Sequence, residues 1–214
     1  MKRVLAAFVG LGLGFGAGDL LARSPVVVEG GAVPTVYHHE YSTAQIESMS
    51  AIKAPSRAAH EPGLTLFEYE VSSQYDLALR SNRPAGPYRF WVKTLNVQFK
   101  ITRMDVYVSS QYPEGSCQYN VVLAHENTHV SINQRLYRKH MGLLRSALAR
   151  AALPTASHPW TAGSQAQAEA ALDARIKPLL KRIEQGFAAE DRRENAKIDT
   201  TASYRRTSAK CPNW

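Results

Sequence analysis

Near Pro113, Glu114 and Gly115 the apolar residues of this chain stop alternating and begin to recur every three to four positions. No other feature constrains the fold as tightly. Side chains alternate faces along a strand but return to one face of a helix at about 3.6 residues, so no stretch satisfies both patterns. Upstream, Thr65, Phe67, Tyr69 and Val71 alternate with Leu66, Glu68 and Glu70. Tyr88 to Leu95 and Val97 to Val108 read as two more strands, preceded by a turn cluster of Asn82, Pro84, Gly86 and Pro87. Val97, Phe99 and Ile101 share a face, and the phase slips near Arg103 and Met104, as at a bulge. Nearer the start, a strand is expected at Val33–Tyr37. A short helix is expected at 43–50, behind the capping pair Ser42 and Gln45, and a loop at 53–63.

Downstream the pattern is helical. A first helix covers 118–150, with Val122, Ile132, Leu136, Leu143 and Ala147 along it. Pro154 and 159–163 form a linker. A second helix covers about 165–198, with Leu172, Ile176, Leu179, Leu180, Ile183 and Phe187 on one face and a kink expected at Pro178. From Thr200 onward the chain reads as an extended tail. The expected architecture is a single α+β domain over 23–214, a small antiparallel sheet packed on two long antiparallel helices.

The first 22 residues read differently. Lys2 and Arg3 precede an apolar run from Val4 to Ala17, and small residues follow at Gly16, Ala17, Gly18 and Ala22. This is the layout of a signal peptide over 1–22 and implies a secreted or periplasmic protein. The run is short for a bilayer span of about 20 residues, and glycines at 10, 12, 14, 16 and 18 weaken it as a helix. In an oxidising compartment Cys117 and Cys211 can pair, tying the tail to the start of the first long helix. The formal charge of +8 favours contact with anionic envelope surfaces. The basic residues are scattered and form no nucleic-acid module, so nucleic acid is not an expected partner.

The strongest chemical signal is His125-Glu126-Asn127-Thr128-His129. Positions i and i+4 lie on one helical face, where two imidazoles can grip one zinc ion (Zn2+) at about 2.0 Å per bond. The carboxylate between them, Glu126, is placed to act as general base toward water at the ion. Both histidines continue the stripe of Val122, Ile132 and Leu136, and buried imidazoles beside a buried carboxylate are costly unless something binds them. A catalytic site needs a third protein ligand. His140 is eleven residues from His129, roughly 16 Å at 1.5 Å per residue, and is structural. If the second helix runs antiparallel to the first, its apolar face continues to Glu190, Glu194 and Ile198, which makes Glu194 or Glu190 the candidate on helical phase. His38, His39, His60 and His158 read as loop or surface residues.

From about Thr35 to Tyr204 the sequence resembles the bacterial predicted secreted zinc-dependent proteases, a family long catalogued as a domain of unknown function. The resemblance rests on the strand-rich first half, on Ala124-His125-Glu126-x-x-His129-Val130 opening a long helix, and on a second helix ending near Ile198-Asp199. The family closes that helix with a Tyr-Asp-x-x-Thr-x-His-Gly pattern. Here the Asp is Asp199, while Ala202, Tyr204 and Arg205 stand at the Thr, His and Gly positions. The resemblance implies a zincin-like active-site helix and a zinc metallopeptidase that hydrolyses protein or peptide substrates. It implies Asp199 as a ligand beside His125 and His129, where phase alone points to Glu194. It also brings forward Tyr204, as a substitute ligand or as a hydrogen-bond donor to an oxyanion. An edge strand, with 88–108 as the candidate, would hold the substrate as an added strand. The chain is expected to act as a monomer. The alternatives are a non-catalytic zinc-binding envelope protein, motivated by the three departures, and a basic adaptor for anionic polymers with no metal.

Overall fold

The computed structural model describes residues 25–53, 62–81, 87–212 and 214. The expected signal peptide at 1–22, most of the 53–63 loop with His60, and Asn82, Pro84 and Gly86 of the turn cluster lie outside them. The described residues form β1 (Val26–Ala32), β2 (Val36–His38), α1 (Thr43–Lys53), β3 (Gly63–Arg80), β4 (Tyr88–Val108), α2 (Cys117–Ala149), β5 (Trp160–Ala162), α3 (Gln165–Ala196) and α4 (Thr201–Ser208).

The expected antiparallel sheet on two helices is corrected in its sheet and in its helix count. Among the described residues the sheet has five strands and is mixed: β1 and β2 pair parallel to β4, whereas β3 and β5 pair antiparallel to it. Among the described residues there are four helices, not two long ones and a short one. The parallel pairings escaped notice because a parallel partner is far away in sequence and leaves no hairpin signal. The two strands expected within 88–108 are one continuous strand. The segment around Trp160, expected as linker, pairs with Tyr88–Phe90. The tail beyond Thr200, expected to be extended, is helical, with the Thr200 side chain capping it.

β4 is the spine. β3 runs along one edge of it from Arg89 to Val108, so β5, β1 and β2 share the other edge. The inward residues of β4 are Phe90 and Val92, then Leu95, Val97, Phe99 and Ile101, then Met104, Val106 and Val108. Its phase changes twice, at Lys93 and at Thr102, and both residues are skipped in the pairing with β3. A bulge adds one residue and so returns the apolar side chains to the core face. A strand paired on both edges has no free backbone groups to offer a third, so 88–108 is not the edge that would take an added strand.

α2 and α3 run antiparallel across one face of the sheet, joined near their ends by Arg175 donating to the Ala151 carbonyl and by His129 meeting Asn195. Ile132, Leu136, Leu144 and Leu148 of α2 and Leu172, Ile176 and Phe187 of α3 bury against Leu95, Val97 and Phe99. Pro178 lies inside α3. On the opposite face, Ile46 of α1 packs on Leu64, Leu66 and Tyr107. The Cys117–Cys211 disulfide pins the chain after α4 to the first residue of α2.

Candidate metal centre

The site begins with how α2 starts. Gly115 makes the entry turn at φ +78°, a conformation that favours glycine. Ser116 then accepts a hydrogen bond from the Tyr119 amide at 3.1 Å. The third turn carries His125, Glu126 and His129. Their i, i+4 spacing puts the two imidazole rings 5.0 Å apart, under the end of the sheet where Val106 packs on Val122 and Val130.

The third group comes from the joint between α3 and α4. α3 stops at Ala196, the Asp199 amide still donates to the Asn195 carbonyl, and Thr200 is extended (φ −109°, ψ 150°). That break turns Asp199 inward, to a side-chain exposure of 9%. Asp199 Oδ1 lies 2.9 Å from His129 Nε2 and 3.4 Å from His125 Nε2. The three side chains offer one ligand atom each within 4.8 Å of one another.

Two imidazole nitrogens and a carboxylate oxygen are a donor set of hydrolytic zinc sites, and two ligands at tetrahedral angles around zinc stand about 3.4 Å apart. Two further observations agree with a cation among them. His125 Nε2 is buried and makes no hydrogen bond, although Asp199 is near; buried polar atoms seldom go unmatched. His129 is buried too. Burial disfavours its charge, but the Asp199 hydrogen bond and the charges of Glu126 and Asp199 outweigh that, so its pKa is raised. A positive charge is wanted at this point, whether a proton or a metal ion supplies it.

Glu126 lies beside the cluster, 5% exposed. Thr65 of β3 donates to its Oε2 at 2.8 Å and to its backbone carbonyl at 3.2 Å. Gly63 lets β3 come this close: a Cβ there would stand 2.8 Å from Glu126 Oε1 and 2.6 Å from a Val122 methyl. Desolvation pushes the Glu126 pKa up, opposed by the two histidines and Thr65. A small open cleft of about 60 Å³ reaches the site, lined by Gly63, His125, Glu126, Tyr204, Ser208 and Trp214 among others. It has room for a water or a small group, far short of the several hundred Å³ that encloses a whole ligand.

The other expected residues divide. Tyr204 is at the site, its ring 5.4 Å from that of His125 and its hydroxyl donating to Asp199 Oδ1 at 3.4 Å. Glu194 is not. Its carboxylate pairs with Lys197 at 2.7 Å and Arg193 at 3.2 Å, and the Lys197 contact holds its pKa low. Phase failed for Glu194 because α3 ends two residues later and a turn, not the helical stripe, delivers the carboxylate. Glu190 bonds Lys139 and His140 one stretch further along α2. Ala202 and Arg205 are exposed on α4. Of the histidines read as surface residues, His38 instead stacks on Tyr107 at 4.5 Å, half-buried.

Sequence reasoning missed Thr65, Gly63 and Asn195. A signal existed for Asn195, since Phe187, Asp191 and Asn195 follow one another at four-residue spacing and an amide on a core stripe needs a partner. Nothing local marked Thr65 or Gly63.

Set beside known proteins, the chain matches no family model, no curated protein and no solved structure.

Proposed function

We propose that this protein is an exported zinc metallopeptidase, secreted or periplasmic, with His125, His129 and Asp199 as the metal ligands and Glu126 as the general base. The observation that carries this reading is the convergence of the three ligand side chains, from α2 and from a turn 70 residues after His129, beside an open cleft that His125 and Glu126 line. The disulfide agrees with an oxidising compartment.

Zinc held there supplies Lewis-acid polarisation of a carbonyl and makes water beside it more acidic. The residues do the rest. Asp199 and the two imidazoles bind and orient. Glu126, held beside the ligands by Thr65, removes a proton from the attacking water and returns it to the leaving amine. Tyr204, 3.4 Å from Asp199, is on the cleft wall and can turn its hydroxyl toward an oxyanion. The cleft is too small to enclose a peptide, so the substrate lies across it with one group entering.

A second reading keeps the zinc and drops the catalysis: a metal clasp that joins the α3–α4 turn to α2 in an envelope protein. The contact of Tyr204 with both His125 and Asp199 favours it. One variant separates the two. Glu126→Gln is expected to keep about one zinc per chain by elemental analysis and to lose hydrolysis of an unfolded protein such as casein by at least ~100-fold. Equal cleavage by the variant sinks Glu126 as the base. Zinc without cleavage in the unsubstituted protein favours the clasp. No zinc in either sinks both readings.

A further inference from the structure

Behind His129, on the side away from Asp199, lies an amide cluster with no part in the chemistry above. His129 Nδ1 is 2.7 Å from Asn195 Oδ1. An Asn side chain can be turned either way round, so which atom faces the ring must come from the rest of its surroundings. Here those surroundings decide it. The Asn195 Nδ2 group has three acceptors: Asn133 Oδ1 at 3.0 Å, Asp191 Oδ1 at 2.8 Å and the Asp191 carbonyl at 3.0 Å. Turned over, the amide would set its oxygen against the carboxylate and carbonyl oxygens of Asp191, whichever way Asn133 is turned. Asn133 is 3% exposed, so water does not easily substitute for it. Asn133 stands one helical turn from His129 on α2 and Asp191 one turn from Asn195 on α3, and both accept from the Asn195 amide.

We infer that Asn195, clamped by Asn133 and Asp191, is a positioning residue that holds a proton of His129 on Nδ1 and so keeps Nε2, which faces Asp199, as the nitrogen left for a metal ion. A neutral imidazole has one N–H and one lone pair, and the partner at one nitrogen decides which atom carries each. An acceptor at Nδ1 therefore fixes a donor there and frees Nε2 for a metal. Such partners orient a histidine ligand, and losing one commonly weakens metal binding 10–100-fold. The inference rests on the zinc reading for the role of Nε2, but its claim that Nδ1 is protonated stands apart from it, since without a metal Nε2 meets the Asp199 carboxylate at 2.9 Å and carries a proton of its own.

The test has two arms. In the first, zinc affinity is measured by competition with a chromophoric chelator for the full mature chain, for Asn195→Leu, and for the double variant Asp191→Asn with Asn195→Asp. Leucine keeps the volume and removes the acceptor, so affinity is expected to fall 10–100-fold. The double variant exchanges amide and carboxylate, restores an acceptor at position 195 and leaves the net charge unchanged. Its affinity is expected to return to within about threefold of the parent. Affinity unchanged in Asn195→Leu, or equally poor in the double variant, overturns the inference. In the second arm, nitrogen-15 NMR of His129 at neutral pH reads the tautomer of the unsubstituted protein. A protonated Nδ1 is expected, with Nε2 either metal-bound or protonated against Asp199; a bare Nδ1 overturns the inference. This arm decides the case if Asn195→Leu does not fold. A parent that binds no zinc but shows the Nδ1–H form would sink the metallopeptidase reading and leave the positioning role in place.

Discussion

At the scale of single residues, the site depends on how closely β3 approaches Glu126. The space a Cβ would need at Gly63 is occupied by Glu126 and Val122 at 2.6–2.9 Å, distances real Cβ atoms do not tolerate. The carboxylate is the far end of a flexible side chain and can give way; the Val122 methyl is buried and cannot move far. Gly63→Ala is therefore expected to shift the start of β3 off α2 and to displace Glu126, while the histidines keep their i, i+4 spacing on α2. The expected result is at least ~10-fold slower hydrolysis with unchanged zinc content, since an ångström of misplacement can cost ~100-fold. Full activity in this variant would show that Glu126 does not need that position. The motif residues were legible in the sequence because two histidines at i and i+4 carry their geometry in their spacing. Gly63 and Thr65 were not legible, because their role is a contact across some 60 positions of sequence.

At the scale of elements, α2 and α3 are joined by packing, by the hydrogen bonds of Asn195 to His129 and Asn133, and by an ionic cluster. Glu190 accepts from Lys139 at 2.6 and 2.8 Å and meets His140 Nε2 at 2.9 Å. The Lys139 contact, with His140 beside it, lowers the Glu190 pKa to about 2, against the ordinary 4.5. A carboxylate with a lowered folded pKa adds stability that is fully present above its unfolded pKa and is lost as pH falls through the folded one. Glu190→Gln is thus expected to cost about 1 kcal/mol at pH 7, a small figure because the Lys139 half of the pair is exposed to solvent. Urea midpoints of parent and variant should converge as pH falls from 4.5 toward 2. A gap that stays constant with pH would assign the loss to packing instead. The two long helices were legible from their apolar stripes. α4 was not, because its eight residues bury none of their own side chains and so show no stripe. Its one local sign, Thr200 three residues before Ser203, is common in loops as well.

At the scale of the whole molecule, the disulfide and the candidate metal site hold the same piece of chain. Cys211 ties the end of that piece to Cys117, and Asp199 ties its beginning to His125 and His129. The bridge closes a loop of 94 residues, and a bridge of that length contributes about 2–5 kcal/mol. Cys117→Ser with Cys211→Ser is expected to lower Tm by roughly 5–15 °C, at 2–4 °C per kcal/mol for a chain of this size. It should also weaken zinc binding, because Asp199 then hangs from a looser turn. Calorimetry with and without chelator would show it: the Tm gain from zinc should shrink in the double variant, and an undiminished gain would mean that Asp199 is placed by α3 alone. By itself the sequence determined what is local: where alternation yields to helical period, where helices start, which two histidines can share an ion. It also carried one bulge of β4, near Arg103 and Met104, since a phase slip in an apolar pattern has to be absorbed somewhere; the bulge at Lys93 it did not show. Only the tertiary structure decided that β1 and β2 run parallel to β4, that β4 is a spine with no free edge, and that Asp199, not Glu194, faces the histidines. These depend on which distant segments meet. The free energy that selects such meetings comes from burying the whole core at once, and no short window of sequence contains it.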